Sequence, residues 1–231
     1  MFNKKICFSF FLLFFSFSLT AQIARPKLVV GLVIDQMRWD YLYRYNELYG
    51  NGGFKRLLNQ GFSNENTFIP YLPTYTAVGH TCVYTGSLPS ITGIVGNNWF
   101  DKTIDRSVYC TEDSTVQTVG SNSNAGKMSP ANLWVTTITD ELRLSTNFKS
   151  KVIGISLKDR GAILPAGHAA NAAYWYDDGK FITSSFYMNT LPGWVNQFNA
   201  KNLASNYMLK DWNTILPITK YNQSTADDKP Y

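Results

Sequence analysis

The sequence predicts an α/β protein built on a doubly wound, mostly parallel sheet. Three observations carry this expectation. Lys27–Asp35 is a continuous apolar run rich in valine and isoleucine, as expected of a strand buried on both faces. Lys151–Leu157 repeats that pattern more than a hundred residues later. Between and after these runs lie segments of helical period, so strands and helices alternate.

The elements follow in order. After the first strand, Met37, Tyr41, Leu42, Tyr45 and Leu48 fall at helical spacing until Asn51-Gly52-Gly53 interrupts. Phe54–Gln60 predicts a short helix stopped by Gly61, and Phe62–Ile69 an extended segment. Pro70 and Pro73 bracket a turn, and a helix is expected over Thr76–Thr85. Gly86–Asp101, rich in Gly and Asn, predicts loop, and Arg106–Cys110 a short strand. Asp113–Ser129 is polar and reads as a long surface excursion. Helical period returns over Ala131–Leu144 through Leu133, Trp134, Thr137, Ile138 and Leu142. Beyond Lys151–Leu157, Ala172–Tyr176 and Phe181–Ser184 read as a hairpin around Asp177-Asp178-Gly179. Leu191–Phe198 reads as helical, and the tail past Lys210 as irregular.

Composition narrows the function classes. The 231 residues are 45% hydrophobic and 15% aromatic, which excludes disorder. The formal charge of +5 includes two lysines, Lys4 and Lys5, at the extreme N-terminus. No stripe of Lys and Arg is present, so nucleic acid is not an expected partner. Residues 1–21 have a basic start, an apolar run over Phe8–Leu19 and a small residue, Ala21, ahead of Gln22. This pattern predicts a signal peptide, hence a periplasmic or secreted protein with no membrane span after its removal, with an uncleaved N-terminal anchor as the other reading. Residues 22–231 then remain as the mature chain. Cys82 and Cys110 remain in the mature chain, and their spacing does not decide whether they pair.

Ligands of doubly wound sheets gather at the carboxyl ends of strands. Asp35 ends the first run, where a carboxylate serves either as metal ligand or base or as cap of the next helix. Thr76 opens the helix after Pro73, where backbone N–H groups attract anions, and is otherwise read as an N-cap. Asn97 could donate an amide to a phosphoryl oxygen or simply sit in a turn. Lys158 and Arg160 follow the second run. On an extended segment they point the same way and would clamp a dianion, with a solvated loop as the plainer reading. His80 and His168 are the chain's only histidines, and both read as structural.

Together these blocks resemble a family. Val33-Ile34-Asp35-Gln36-Met37-Arg38, Pro73-Thr74-Tyr75-Thr76, Gly96-Asn97-Asn98-Trp99 and Leu157-Lys158-Asp159-Arg160-Gly161 occur in the order found in bacterial alkaline phosphatases of the threonine-nucleophile, PafA type. The similarity covers about Lys27 to Phe186. It implies an alkaline phosphatase-like fold and zinc-dependent hydrolysis of phosphate monoesters through a covalent phospho-threonine. It assigns Thr76 as nucleophile and zinc ligand, and Asp35 as zinc ligand. Asn97, Lys158 and Arg160 become the phosphate contacts, and two Zn2+ the cofactors of the complete enzyme. Small phosphate esters are the implied partners. Relatives that cleave diesters and nucleotide pyrophosphates share the aspartate, threonine and asparagine blocks but lack the Lys-x-Arg element, so its presence here favours monoesters. A diesterase and a non-catalytic secreted binding fragment, suggested by 14 Tyr and 6 Trp, are the alternatives. The further aspartates and three histidines with which the family completes its zinc sites do not occur here. The expectation is therefore an apparently truncated chain, an N-terminal part of an enzyme about twice as long, unable to close both metal sites alone and poorly soluble.

Overall fold

The computed structural model describes residues 26–221, so the predicted signal peptide lies outside the described residues. The chain divides into two units, residues 1–34 and 35–231. In the first, residues 28–34 form no ladder, although their sequence is that of a buried strand. Leu28, Val29, Val30 and Leu32 are 73–78% exposed. The expectation of a first sheet strand is corrected here. β-branched residues favour an extended chain, but a strand exists only where a neighbour accepts its hydrogen bonds, and none does among the described residues.

The second unit begins with short helical pieces. The single helix expected over Met37–Tyr49 is instead α1 (Tyr41–Arg44) and a 3-10 turn, Asn46–Leu48. α2 (Gly53–Gln60) and α3 (Thr76–Thr85) match their predictions to within a residue. α4 (Pro89–Thr92) and β1 (Asn98–Asp101) occupy part of the predicted loop, and β1 pairs antiparallel with β2 (Arg106–Tyr109), which matches the short strand expected over Arg106–Cys110. Within the long excursion, β3 (Thr118–Val119) joins the main sheet.

The main sheet has the order β3-β6-β5-β4. β4 (Ile153–Ile155) and β5 (Ala172–Asp177) pair in parallel, and α6 (Asp159–Ala166) connects them, giving the βαβ unit that the alternating pattern predicts. β6 (Lys180–Ser184) returns antiparallel after the turn Asp178-Gly179, both at positive φ, as a two-residue hairpin demands. The described sheet is thus mixed, with one parallel pair. Gly154 is required where α6 crosses β4, because a Cβ there would meet the Ala162 carbonyl oxygen at 2.2 Å. Ala162, Ile163 and Ala166 of α6 form a core with Ala173, Trp175 and Ile182 of the sheet. On its other side α6 packs against α3, and Leu164 joins Ala77, Ile94, Cys110 and Leu133 in a second core.

α5 (Ile138–Ser145) is shorter than the Ala131–Leu144 helix expected. Its start is fixed by a capping box in which Thr137 and Asp140 exchange hydrogen bonds. Residues before it are held otherwise, with the Trp134 N–H donated to the Thr92 carbonyl. α7 (Gly193–Asn199) realises the predicted Leu191–Phe198 helix, and α8 (Leu203–Met208) adds a turn and a half. Cys82 and Cys110 are both buried free thiols.

Candidate active site

α3 opens without a side-chain cap of its own: its N-cap, Tyr75, makes no capping bond. Thr76 is therefore no cap. Its hydroxyl donates to Asp35 Oδ2 at 3.0 Å, across 41 residues of sequence. Asp35 Oδ1 accepts from the Gln36 N–H, so the carboxylate is held by its own turn and aimed at the threonine. It caps no helix, which removes the plainer of its two sequence readings.

Asn97 supplies what α3 lacks. Its Oδ1 accepts the Ala77 N–H at 3.0 Å, replacing the missing N-terminal cap from 20 residues away. Because a backbone N–H can only donate, the amide oxygen faces the helix and the Nδ2 hydrogens face away from it. Among the described residues nothing accepts those hydrogens. Asp35, Thr76 and Asn97 thus form one hydrogen-bonded group at the start of α3, with an N-terminal field that favours anions.

Lys158 and Arg160 lie on the neighbouring helix. They are not the side-by-side pair of an extended segment, and that expectation is corrected. Lys158 is extended and is the N-cap of α6, while Arg160 is already inside the helix. Residues two apart there are turned away from each other. Lys158 is exposed. Its side chain makes no ion pair among the described residues, so the ammonium is free to swing. Arg160 is fixed: its Nη1 donates to the Tyr109 hydroxyl at 2.9 Å. That hydroxyl donates to Asp159 Oδ1 at 2.9 Å, and the Thr111 hydroxyl donates to Asp159 Oδ2. No distance directly ties either cation to the Thr76 oxygen; the link is the packing of α6 on α3.

Tyr109, Thr111 and Asp159 are not among the site residues that the sequence picks out. The acid between two bases was the one available sign. Burial, reinforced by the Asp159 charge, raises the Tyr109 pKa well above its ordinary value. The tyrosine therefore stays a phenol in alkaline solution. Burial lowers the Arg160 pKa, but the bond to Tyr109 and the surrounding charges outweigh this and raise it overall. Burial pushes the Cys110 thiol up to about 12, so this cysteine is no nucleophile.

The two histidines are engaged within the fold. His80 Nδ1 lies 2.8 Å from the Thr76 carbonyl oxygen. His168 bridges Asp140 and the Leu133 carbonyl oxygen. Among the described residues no three His, Cys, Asp or Glu side chains converge as a metal-binding group. Asp35 Oδ2 and Thr76 Oγ1 are two oxygen donors within hydrogen-bonding reach of one another, a pairing that fits part of a zinc coordination sphere.

The family model described as type I phosphodiesterase / nucleotide pyrophosphatase matches residues 29–228. The chain is 67% identical over 211 residues to alkaline phosphatase PhoV of Synechococcus elongatus, covering 90% of this chain and 38% of that protein. It is 60% identical over 212 residues to alkaline phosphatase PafA of Elizabethkingia meningoseptica, covering 90% of this chain and 39% of that one. A crystal structure of a PafA variant with one threonine-to-serine change and with one asparagine, one lysine and one arginine changed to alanine superposes with a TM-score of 0.87. It is 59% identical and covers 89% of this chain and 40% of the other. The chain thus spans about two fifths of the length of the relatives it matches, and it belongs to the type I phosphodiesterase / nucleotide pyrophosphatase family within the alkaline phosphatase superfamily.

Proposed function

We propose that this chain carries the nucleophile-bearing part of a periplasmic or secreted alkaline phosphatase that hydrolyses small phosphate monoesters through a phospho-threonine. The observation that carries the reading is the Thr76 hydroxyl, directed at Asp35 Oδ2 and set at the N-terminus of α3 beside Asn97. A hydroxyl so placed meets the phosphorus of an ester bound against the helix N-terminus. The relatives named alkaline phosphatase add weight, as does the PafA variant altered at one threonine, asparagine, lysine and arginine, the residue types assigned here.

Each residue has a distinct task. Asp35 orients the Thr76 oxygen and accepts its hydrogen bond. Thr76 attacks the phosphorus and gives up its hydroxyl proton, the P–O bond to the alcohol breaks, and the leaving alkoxide takes up one proton, so that the products are the phospho-threonine and the free alcohol. Water then cleaves the phospho-threonine and regenerates the hydroxyl. Asn97 Nδ2, held outward by its own bond to Ala77, donates to a phosphoryl oxygen. Lys158 and Arg160 offset the charge spread over the remaining oxygens of the transferring group. The second charge of a monoester is what such a pair recognises. Asp35 and Thr76 would hold zinc together with donors beyond the described residues. When bound, two zinc ions lower the pKa of the nucleophilic hydroxyl and stabilise the leaving oxygen.

The test uses the protein expressed from its complete gene. Thr76→Ala should abolish turnover of a nitrophenyl phosphate monoester while leaving the melting temperature close to that of the parent. Unchanged turnover removes Thr76 from the chemistry. A large preference of the parent for a nitrophenyl phosphodiester over the monoester would overturn the substrate assignment.

A further inference from the structure

We propose that Tyr109, Asp159 and Thr111 are positioning residues that lock the guanidinium of Arg160, so that its Nε/Nη2 edge faces a dianionic phosphoryl group. The inference rests on the reading of Arg160 as a phosphate contact. It adds what holds the arginine in place, and which of its edges does the work.

The first support is the direction of the bonds. Arg160 Nη1 donates to the Tyr109 hydroxyl, which can accept it because its own proton goes to Asp159 Oδ1. Asp159 is pinned at its other oxygen by the Thr111 hydroxyl. The Thr111 hydroxyl also lies 3.7 Å from the Met128 sulfur, a much weaker acceptor than the Asp159 carboxylate, so the relay runs in one direction from Arg160 through Tyr109 to Asp159. Tyr109 is partly buried against the core formed by Ala77, Cys110 and Leu164, and Thr111 is fully buried. The anchor is therefore rigid even though it lies next to a partly exposed cation.

The second support is the geometry of the fork. A guanidinium offers carboxylates and phosphates a bidentate edge formed by Nε and Nη2. Tyr109 takes Nη1, the nitrogen outside that edge. Arg160 Nε is buried and has no hydrogen-bond partner among the described residues. A buried N–H left unpaired is costly, and in a native structure each such group calls for a partner or a role. The relay therefore satisfies the nitrogen that the phosphoryl group does not need and reserves the edge that it does.

The third support is shared scaffolding. Tyr109 ends β2 and pairs with Asn98, the residue after Asn97. The Cys110 N–H donates to the Asn97 carbonyl oxygen at 3.0 Å. One two-stranded ribbon thus sets both Asn97, through its backbone, and Arg160, through Tyr109. Among the described residues, Lys158 has no such anchor. The arginine supplies geometry to the anion site and the lysine supplies charge.

The experiment is a double-mutant cycle in the protein expressed from its complete gene. It reads kcat and KM separately on a nitrophenyl phosphate monoester and on a methyl nitrophenyl phosphodiester. Tyr109→Phe deletes the hydroxyl and keeps the ring in the core. It should lower monoester kcat/KM about tenfold, the scale of one lost charge-assisted hydrogen bond, and leave the diester value within about twofold. In an Arg160→Ala background, Tyr109→Phe should have no further effect on the monoester. Thr111→Val, which releases the far end of the relay, should lower the monoester rate less and in the same sense. If Arg160→Ala lowers the monoester rate but Tyr109→Phe does not, the positioning proposal fails and the phosphate-contact reading stands. If Tyr109→Phe lowers monoester and diester rates alike, or lowers the monoester rate as much without Arg160 as with it, its role is structural and the proposal fails. If Arg160→Ala leaves the monoester rate unchanged, the reading beneath it fails, and the proposal with it.

Discussion

Asn97 shows how one side chain can serve stability and chemistry through opposite ends of the same amide. Its oxygen caps α3 through the Ala77 N–H, while its nitrogen is turned away from the helix. The two roles separate by substitution. Asn97→Asp keeps an acceptor for Ala77 but replaces two donors with a negative charge beside the bound anion. The melting temperature should stay near that of the parent while monoester kcat/KM falls about a hundredfold or more. Asn97→Ala should lose both, with a destabilisation of about 1 kcal/mol from the vacated cap. Equal activity of Asn97→Asp and the parent would remove the asparagine from phosphate recognition. His168 and Asp140 form a second residue-scale device, away from the site. Burial raises the Asp140 pKa, but hydrogen bonds from His168 and from the Ala169 and Thr137 backbone outweigh it and hold the carboxyl well below its ordinary range. The bond to Asp140 raises the His168 pKa above 6.5. The stability supplied by protonated His168 is complete below 6.5 and is lost as pH rises through the raised value in the fold. That supplied by ionised Asp140 is complete above 3.8 and is lost as pH falls through the depressed one. The pair is therefore at full strength between 3.8 and 6.5. Thermal melting of the parent and of His168→Gln should differ most in that window and converge toward alkaline pH. A difference independent of pH would show that the histidine acts by packing alone.

At the scale of elements, α6 is the part on which the most depends, since it packs on the sheet and on α3 while its N-cap is Lys158 and its first turn carries Arg160. Its close seat on β4 rests on Gly154. A Cβ there would fall 2.2 Å from the Ala162 carbonyl oxygen and 3.0 Å from the Ala166 Cβ. Backbone cannot yield as a flexible side chain does, so strand and helix must part. Gly154→Ala should destabilise the fold by about 1–3 kcal/mol, measured by denaturant unfolding. It should also lower monoester activity more than stability alone explains, because the α6 N-terminus moves with the helix. An unchanged unfolding midpoint would show that the contact has slack. The same element marks where sequence stops being informative. α3, the Asp178-Gly179 hairpin and the βαβ unit were legible because each is governed by local period or turn chemistry. So were Asp35, Thr76 and Asn97 as candidates, because strand ends and helix starts are written in short motifs. The Arg160–Tyr109 bond joins residues 51 apart, and nothing in either segment names the other. The broken helix before Tyr49 and the late start of α5 were hidden for a related reason. Hydrophobic period shows which face is buried, whereas helix ends are set by particular bonds such as the Thr137–Asp140 box.

For the whole molecule, the balance of apolar surface is unusual. β4 is an edge of its sheet among the described residues, with β5 as its one partner. Ile153 and Ile155 on that edge are 51% and 61% exposed, and Leu157 just beyond is 71% exposed. Ile153 and Ile155 alternate along the strand, so they share one face. Leu28, Val29, Val30 and Leu32 add a second exposed apolar stretch in the other unit. An edge strand that carries bare isoleucines offers both unpaired backbone groups and an apolar face, the combination that invites association between chains. A formal charge of +5 on 231 residues gives only weak electrostatic opposition. The polypeptide of these 231 residues should therefore self-associate in sedimentation velocity at micromolar concentration. Ile155→Lys sets a charge in the middle of the apolar face and should shift the distribution toward monomer, since a buried lysine between two strands would have to be desolvated without a partner. A charge placed just after β3, the strand at the other edge of the sheet, Asn122→Lys for example, should not. If the parent is monomeric over the whole concentration range, or if both lysine variants change it equally, the edge of β4 is not what drives association.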